Sequence, residues 1–176
     1  LVACGQPVSE APATVPGLSD GVSTVEESTS RLAGAWALKR IERRDANGEL
    51  IAPAVDDRLG YLIYDATGYM AVTLMQPDRD PYADDVPTPE EALAQLGSYT
   101  SYFGRYSVNE AEGFVTHHLE GSLNPRGTGA DYQRYYALEG SQLTLQPPAG
   151  ESGARSYITW ERLPNIAESE LTDTHR

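Results

Sequence analysis

The sequence is poor in cysteine, in basic residues and in long apolar runs. Cys4 is the single cysteine of the chain, so no internal disulfide can form and metal sites built from several thiolates are excluded. No apolar run approaches the roughly 20 residues that a membrane-spanning helix needs. Lysine and arginine total 13 against 26 aspartates and glutamates, which gives a formal net charge of −13. Because such a surface repels phosphate, we expect no nucleic-acid binding and no basic docking onto anionic lipid.

The residues that are present suit one folded domain with tails. The length of 176 residues corresponds to a single domain, and 40% of the residues are hydrophobic, which is enough for a core. Composition divides the chain into residues 1–4 around the cysteine, a flexible tether over 5–22, a folded domain over 23–163, and a polar, disordered tail over 164–176.

The lone cysteine stands in a sequence context that is typical of a lipid anchor. Leu1-Val2-Ala3-Cys4 resembles the lipobox of bacterial lipoproteins, in which the leader is cut before the cysteine and the thiol is acylated. Residues 5–22 hold three prolines and no aromatic residue, and a coil of that length reaches roughly 25 Å. We therefore expect a lipoprotein of the bacterial cell envelope that meets the membrane only through Cys4. The alternative is a free thiol at a disordered terminus.

Eight segments show the alternation or the residue types of β-strands. They are Gly34–Ile41, Leu59–Tyr64, Tyr69–Met75, Tyr99–Val108, Phe114–Gly121, Asp131–Leu138, Gln142–Leu145 and Ala154–Arg162. Most are joined by short turns, and closing such a meander into a barrel removes its exposed edges. Eight strands leave an interior with room for about one small ligand. We therefore predict an all-β fold, an eight-stranded antiparallel up-and-down barrel, with a β-sandwich as the alternative.

Two helices are predicted beside these strands. Ser23 and Glu26 form the pattern of a capping box, which starts a short N-terminal helix that ends at Gly34. Thr88 before Pro89, with a glutamate three residues after the threonine, starts a second helix between the third and fourth strands.

The connection that holds the second helix is the longest between strands. It runs from Met75 to Leu96 and is therefore a candidate lid. Four aspartates cluster in it: Asp78, Asp80, Asp84 and Asp85. Their spacing is not that of an EF-hand and Pro81 interrupts it, so we interpret the cluster as a solvated acidic loop rather than a calcium site. No metal site is predicted in the chain.

Six sequence blocks, taken in order, resemble the lipocalin-like domain of many bacterial and fungal proteins. The blocks are Leu32-x-Gly34-x-Trp36-x-Leu38, Gly60 to Met70, Tyr99 to Tyr106, Val115 to Pro125, Arg134 to Leu145 and Trp160-Glu161-Arg162. The resemblance implies a calycin-type barrel in a family often of undefined function. It also implies a plug in which the guanidinium of Arg162 lies over the indole of Trp36. Gly34 lets the entering chain approach closely, so we interpret these three residues as structural.

Several polar side chains are expected inside the barrel. His117 shares a strand face with Val115 and Leu119, and Arg134 shares one with apolar Leu138. A guanidinium in a lumen needs an anionic partner, either a ligand carboxylate or a protein acid. The candidate ligand-binding residues are Tyr102, Tyr106, His117, Arg134 and Tyr136. The alternative interpretation is that the same residues form a satisfied internal network.

Three functions remain open from the sequence. The leading hypothesis is a binding protein for a small, partly apolar ligand, which is anionic if it pairs with Arg134. The second is a cofactor-independent isomerase or cyclase in which His117 acts as a base and Arg134 or Tyr106 stabilises negative charge. The third is an interaction module whose lumen is packed core. None needs a cofactor, and Ser101 and Ser107 show no base at a recognisable spacing.

Overall fold

The structure is a computed structural model that describes residues 31–166. In chain order, its elements are β1 (Gly34–Arg44), β2 (Leu59–Tyr64), β3 (Tyr69–Met75), α1 (Pro89–Gly97), β4 (Tyr99–Asn109), β5 (Phe114–Ser122), a 3₁₀ turn (Pro125–Gly127), β6 (Asp131–Glu139), β7 (Gln142–Gln146) and β8 (Arg155–Arg162). The strands follow the predicted segments closely, with β1 three residues longer than expected.

The eight strands of the described residues form one closed barrel. Each strand pairs antiparallel with its neighbours in sequence, and β8 returns to pair with β1. In that last pairing Trp36 lies opposite Arg162, and Leu38 lies opposite Trp160. The predicted eight-stranded up-and-down barrel is therefore confirmed, and the alternative of a β-sandwich is wrong.

Side chains alternate between the interior and the exterior, as the period of a strand requires. On β5, Val115, His117 and Leu119 are all buried, whereas the neighbouring residues are more exposed. On β2, Leu62 and Tyr64 are buried while the residues beside them face outwards. The sequence pattern therefore identifies which side chains enter the barrel.

The two ends of the barrel differ in their connections. We call the end where β1 begins, and where short turns join β2 to β3, β4 to β5 and β6 to β7, the closed end. The longer connections emerge at the opposite, open end, and α1 lies in one of them. The buried hydrophobic core consists of Leu32, Trp36, Leu62, Tyr64, Met70, Val72, Tyr106, Val115, Leu143, Leu145 and Trp160. Leu32 packs against the first strand's Trp36 at the closed end.

The helix α1 begins as its sequence predicts. The side chain of Thr88 accepts a hydrogen bond from the backbone N–H of Glu91, the Glu91 side chain accepts one from the Thr88 backbone, and Pro89 holds the first helical position. None of its residues is buried, and Leu96 faces the barrel mouth. Tertiary packing contributes little to this helix, so the capping box is its main local stabilisation.

Several expectations fall outside the described residues. They are the anchor at Cys4, the tether over 5–22, most of the N-terminal helix that starts at Ser23, and the tail beyond Ile166. Arg31 and Leu32, where the described chain begins, are helical. Within residues 31–166 no helix has the length and apolar character needed to cross a membrane.

Candidate functional site

The closed end is plugged by an arginine laid on a tryptophan. The guanidinium carbon of Arg162 lies 4.0 Å from the ring centroid of Trp36. Its Nη1 donates to the carbonyl of Ala33 and its Nη2 to the carbonyl of Arg31, both at 2.5 Å. The indole N–H of Trp36 donates to the carbonyl of Leu32 at 2.9 Å. The indole therefore packs against the face of this guanidinium, and backbone carbonyls accept hydrogen bonds from both of its outer nitrogens.

Gly34 makes room for this plug. Its φ is +137°, a backbone conformation that residues with a side chain rarely adopt. A Cβ added there would lie 2.6 Å from Nη1 of Arg162, well inside van der Waals contact. The close approach expected at Gly34 is therefore an approach to the arginine of the plug.

A cavity of about 480 Å³ occupies the open half of the barrel. Its apolar lining consists of Val72, Leu74, Leu96, Leu123, Leu145, Ile158 and Trp160. Its polar lining consists of Tyr99, Thr100, Ser101, Tyr102, Ser122, Asn124, Tyr132 and Arg134. No aspartate or glutamate within the described range lines it, so Arg134 brings the only formal charge to these walls.

Arg134 enters the cavity without an acidic partner. Its Nη1 donates to the carbonyl of Gln133 at 2.8 Å, and its guanidinium carbon lies 5.1 Å from the ring centroid of Tyr132. Among residues 31–166, no carboxylate lies within 4 Å of its guanidinium nitrogens. Burial raises the pKa of the nearby Tyr102 phenol, and the positive charge of Arg134 and its hydrogen bonding to the phenol partly offset that rise. The site therefore presents a partly buried cation beside the Tyr102 phenol, which stays protonated near pH 7.

Below the cavity, His117 is held between two tyrosines. The side chain is fully buried, and its Nε2 lies 2.6 Å from the hydroxyl of Tyr64. Its Nδ1 lies 3.3 Å from the hydroxyl of Tyr102, which also lines the cavity. Burial lowers the pKa of His117 to about 3, with a smaller contribution from the charge of Arg134. The imidazole is therefore neutral near pH 7, with a hydroxyl partner at each ring nitrogen.

Comparison with known proteins identifies the family of this domain. A family model described as a lipocalin-like domain matches residues 33–163, most of the chain. The chain belongs to the lipocalin-like domain family. Among solved structures, a lipocalin-like protein from Bacteroides uniformis is similar, at 17% identity and a TM-score of 0.43, over 75% of this chain and 98% of that one. No curated protein matches the sequence.

The lipocalin-like barrel brings two of the five candidate residues to the cavity wall. Arg134 and Tyr102 line it, whereas His117, Tyr106 and Tyr136 do not. Tyr106 is 6% exposed and donates from its hydroxyl to the carbonyl of Asp65 in the β2–β3 turn at 3.0 Å. Tyr136 packs against the core near the end of β6. These three residues point inwards but lie nearer the closed end, because alternation predicts the face of a strand and not the depth along the barrel.

The connection over the mouth is tied to its own helix. Arg79 donates from Nε to the hydroxyl of Ser98 at 3.0 Å and lies 5.2 Å from the ring centroid of Tyr99. The side chain of Gln95 donates to the carbonyl of Asp80 at 2.7 Å. These bonds join the loop and α1 to the start of β4, so the candidate lid is tied to the barrel wall. No group of three or more His, Cys, Asp or Glu side chains within residues 31–166 is arranged to hold a metal ion.

Two tyrosines of the lipocalin-like site were not singled out from the sequence. Tyr64 holds His117, and Tyr132 lies under the guanidinium of Arg134. Strand alternation predicts that both side chains point inwards, because Tyr64 shares a face with Leu62 and Tyr132 stands two residues before Arg134. Alternation read through the whole of β2 and β6 would have found them.

Proposed function

We propose that this lipocalin-like domain binds a small, partly apolar molecule that carries one anionic group, and that the anion pairs with Arg134. The observation that carries this proposal is the guanidinium of Arg134 in an otherwise uncharged cavity, with no carboxylate of residues 31–166 within ion-pair distance. A partly buried cation without a counter-ion is unfavourable, and a ligand carboxylate relieves that cost. Guanidinium forms two parallel hydrogen bonds with a carboxylate, which fixes the orientation of a bound acid.

The rest of the cavity suits such a molecule. Its volume of about 480 Å³ lies within the range of small-molecule sites, and about half of its lining is aliphatic or indole. The hydroxyl of Tyr102 lies beside Arg134 and can donate to a second carboxylate oxygen, while the ring of Tyr132 lies under the guanidinium. Leu96 and Leu123 flank the mouth, so an apolar tail would leave the barrel between apolar side chains.

The two alternative functions have less support. Catalysis by His117 needs a base that touches substrate, but His117 is fully buried outside the cavity lining and its pKa of about 3 makes it a weak base. An interaction module with a packed lumen is at odds with a cavity of about 480 Å³.

We propose further that Cys4 is acylated and that the domain works at the bacterial cell envelope. The support is the Leu1-Val2-Ala3-Cys4 sequence followed by the proline-containing stretch over 5–22. The test is growth of the bacterial host with an alkyne-bearing palmitate. The full-length product is expected to take up the label and sediment with membranes, whereas Cys4→Ser is expected to stay unlabelled. Labelling that survives Cys4→Ser contradicts the proposal.

The binding proposal is tested by calorimetry with a matched pair of probes, dodecanoate and dodecanol. Wild-type protein is expected to prefer dodecanoate, and Arg134→Gln is expected to weaken dodecanoate binding by about tenfold to a hundredfold while leaving dodecanol binding unchanged. The matched control is Arg155→Gln, because Arg155 is exposed on β8 and does not line the cavity. Equal binding of dodecanoate by wild type and Arg134→Gln overturns the anion assignment, and binding of neither probe overturns the proposed ligand class.

A further inference from the structure

A second cluster of reactive side chains lies on the outside of the barrel, away from the cavity. The hydroxyl of Ser107 lies 2.8 Å from Nε2 of His118. Nδ1 of the same imidazole lies 2.7 Å from a carboxylate oxygen of Asp131. The three side chains thus form a continuous chain of hydrogen bonds from hydroxyl to imidazole to carboxylate, which we call the outer cluster.

Strand pairing builds the outer cluster from three neighbouring strands. His118 of β5 lies opposite Asp131 of β6, and opposite Arg105 of β4 on its other side. Ser107 stands two residues after Arg105, so both face outwards on the same strand. His117 points into the barrel, so the side chains of the two adjacent histidines lie on opposite sides of the sheet. The cluster was not visible in the sequence because its parts are 11 and 13 residues apart along the chain.

The carboxylate fixes the proton arrangement of the outer cluster. An ionised Asp131 only accepts hydrogen bonds, so Nδ1 of a neutral His118 carries the proton and donates it. Nε2 is then the acceptor, and the hydroxyl of Ser107 donates to it. This is the arrangement in which an imidazole removes the proton of a serine nucleophile and a carboxylate stabilises the resulting imidazolium.

The cluster is open to solvent and has a positive charge beside it. His118 and Asp131 have side chains that are 37% and 68% exposed, and both line a surface groove with Arg105 and Ser107. The Nε of Arg105 donates to Glu120 at 2.9 Å, and its outer nitrogens have no hydrogen-bond partner among the described residues. A guanidinium on the same strand face as the nucleophile can stabilise negative charge that forms on a carbonyl oxygen there.

From this geometry we propose that the outer cluster hydrolyses small, unhindered carboxylic esters with good leaving groups. The Ser107 oxygen attacks the acyl carbon while its proton passes to Nε2 of His118, and the resulting oxyanion faces Arg105. The intermediate collapses, the carbon–oxygen bond to the leaving group breaks, and His118 returns the proton to the departing alcohol. Water then attacks the acyl-serine with His118 as base, which releases the acid and restores Ser107.

The restriction to reactive esters follows from what surrounds Ser107. The backbone N–H of Tyr106 donates to the carbonyl of Gly68, and Ser107 lies within the β4–β5 ladder. With these strand amides engaged, stabilisation of the oxyanion rests on Arg105, which Glu120 partly neutralises. Such a site supports cleavage of phenolic esters, whose leaving groups depart readily, better than cleavage of amides.

The test is hydrolysis of p-nitrophenyl acetate by the full chain, with tryptic mass spectrometry of the protein after a short reaction. Wild type is expected to carry an acetyl group on Ser107. Ser107→Ala and His118→Ala are expected to lower the turnover about tenfold or more, and Asp131→Asn less. Ser141→Ala is the matched control, because the exposed Ser141 donates to Glu161 and has no imidazole partner. These positions are outside the core, so an unchanged melting temperature checks that each variant is folded.

The outcomes separate catalysis by the cluster from reaction at a surface imidazole. Acetyl-Ser107 together with loss of turnover in Ser107→Ala supports the proposal. Turnover that is retained in Ser107→Ala, or acetyl found on His118 alone, overturns it, since histidine by itself then accounts for the reaction. Dodecanoate binding is expected to be the same in Ser107→Ala and wild type, because the groove and the cavity lie on opposite faces of the sheet.

Discussion

The two ends of the barrel each hold an inward arginine, and they use it in opposite ways. At the closed end, Arg162 stacks on Trp36 and donates to two backbone carbonyls. At the open end, Arg134 donates to one backbone carbonyl, interacts with the Tyr102 phenol, and meets no carboxylate of residues 31–166. One guanidinium therefore completes the fold, whereas the other has hydrogen-bonding capacity left for a ligand.

The difference shows that the contacts of an arginine inside a barrel decide whether it is structural or available to a ligand. Both arginines lie over an aromatic ring, Trp36 for one and Tyr132 for the other. The ring contact alone does not distinguish them. What distinguishes them is the neighbouring space, because Arg134 borders a cavity and Arg162 is packed against the chain that enters β1.

The largest effect is expected from removing the plug. Arg162→Met removes a cation–π contact and two charge-assisted hydrogen bonds, and leaves two carbonyls without their donors. We expect the free energy of unfolding to fall by about 3 kcal/mol, measured by urea denaturation. Arg162→Lys keeps the positive charge but not the planar guanidinium that donates to two carbonyls, so it is expected to recover only part of the lost stability. Full stability in Arg162→Met would contradict a structural role.

A smaller loss is expected at Gly34. Gly34→Ala forces a side chain into φ +137° and against Nη1 of Arg162, so we expect a loss of about 2 kcal/mol by the same denaturation. Gly48→Ala is the matched control, because Gly48 has φ +88° and open space around it. That control is expected to lose only about 1 kcal/mol. Equal losses in the two variants would mean that contact with Arg162 does not matter.

The buried histidine below the cavity is expected to make stability depend on pH. The folded pKa of His117 is about 3, below its usual value of 6.5, so the unfolded chain takes up the proton first as the pH falls. The stability that neutral, buried His117 contributes is fully present above pH 6.5 and is lost as the pH falls towards 3. The free energy of unfolding is expected to fall by about 2 kcal/mol between pH 7.5 and pH 5. His117→Gln is expected to flatten this slope, measured by denaturation at each pH. His118→Gln is the control and should keep it.

No loss is expected at Arg134. Arg134→Met removes a partly buried cation that has no acidic partner within the described chain, so the free energy of unfolding should stay within about 0.5 kcal/mol of wild type or rise. The measurement is the same urea denaturation. A loss as large as that of Arg162→Met would place Arg134 with the structural residues and remove the contrast between the two ends.

Much of this fold could be predicted from the sequence. The strand segments follow from alternation and from turn glycines, and the capping box around Thr88 gives the start of α1. Strand period also separates His117 from His118 by face. These features are local, which is why a single sequence contains them.

The site was harder to predict, because it depends on distances along and across the sheet. Tyr106 and Tyr136 point inwards, but they stand in the second halves of β4 and β6, which run towards the closed end, so they lie below the cavity. Ser107 meets His118 through the β4–β5 register, and that pairing includes an irregularity at Phe103 and Gly104. Neither depth nor register can be read from residue types alone.

A crystal structure of the protein soaked with dodecanoate would show whether the open end of the barrel holds an anion at Arg134. We expect the carboxylate at about 3 Å from the guanidinium nitrogens of Arg134, with the alkyl chain running past Leu145 towards Leu96 and Leu123. A bound chain whose carboxylate lies at the mouth in solvent, with Arg134 in contact only with Gln133, Tyr132 and Tyr102, would rule out an anion site at Arg134.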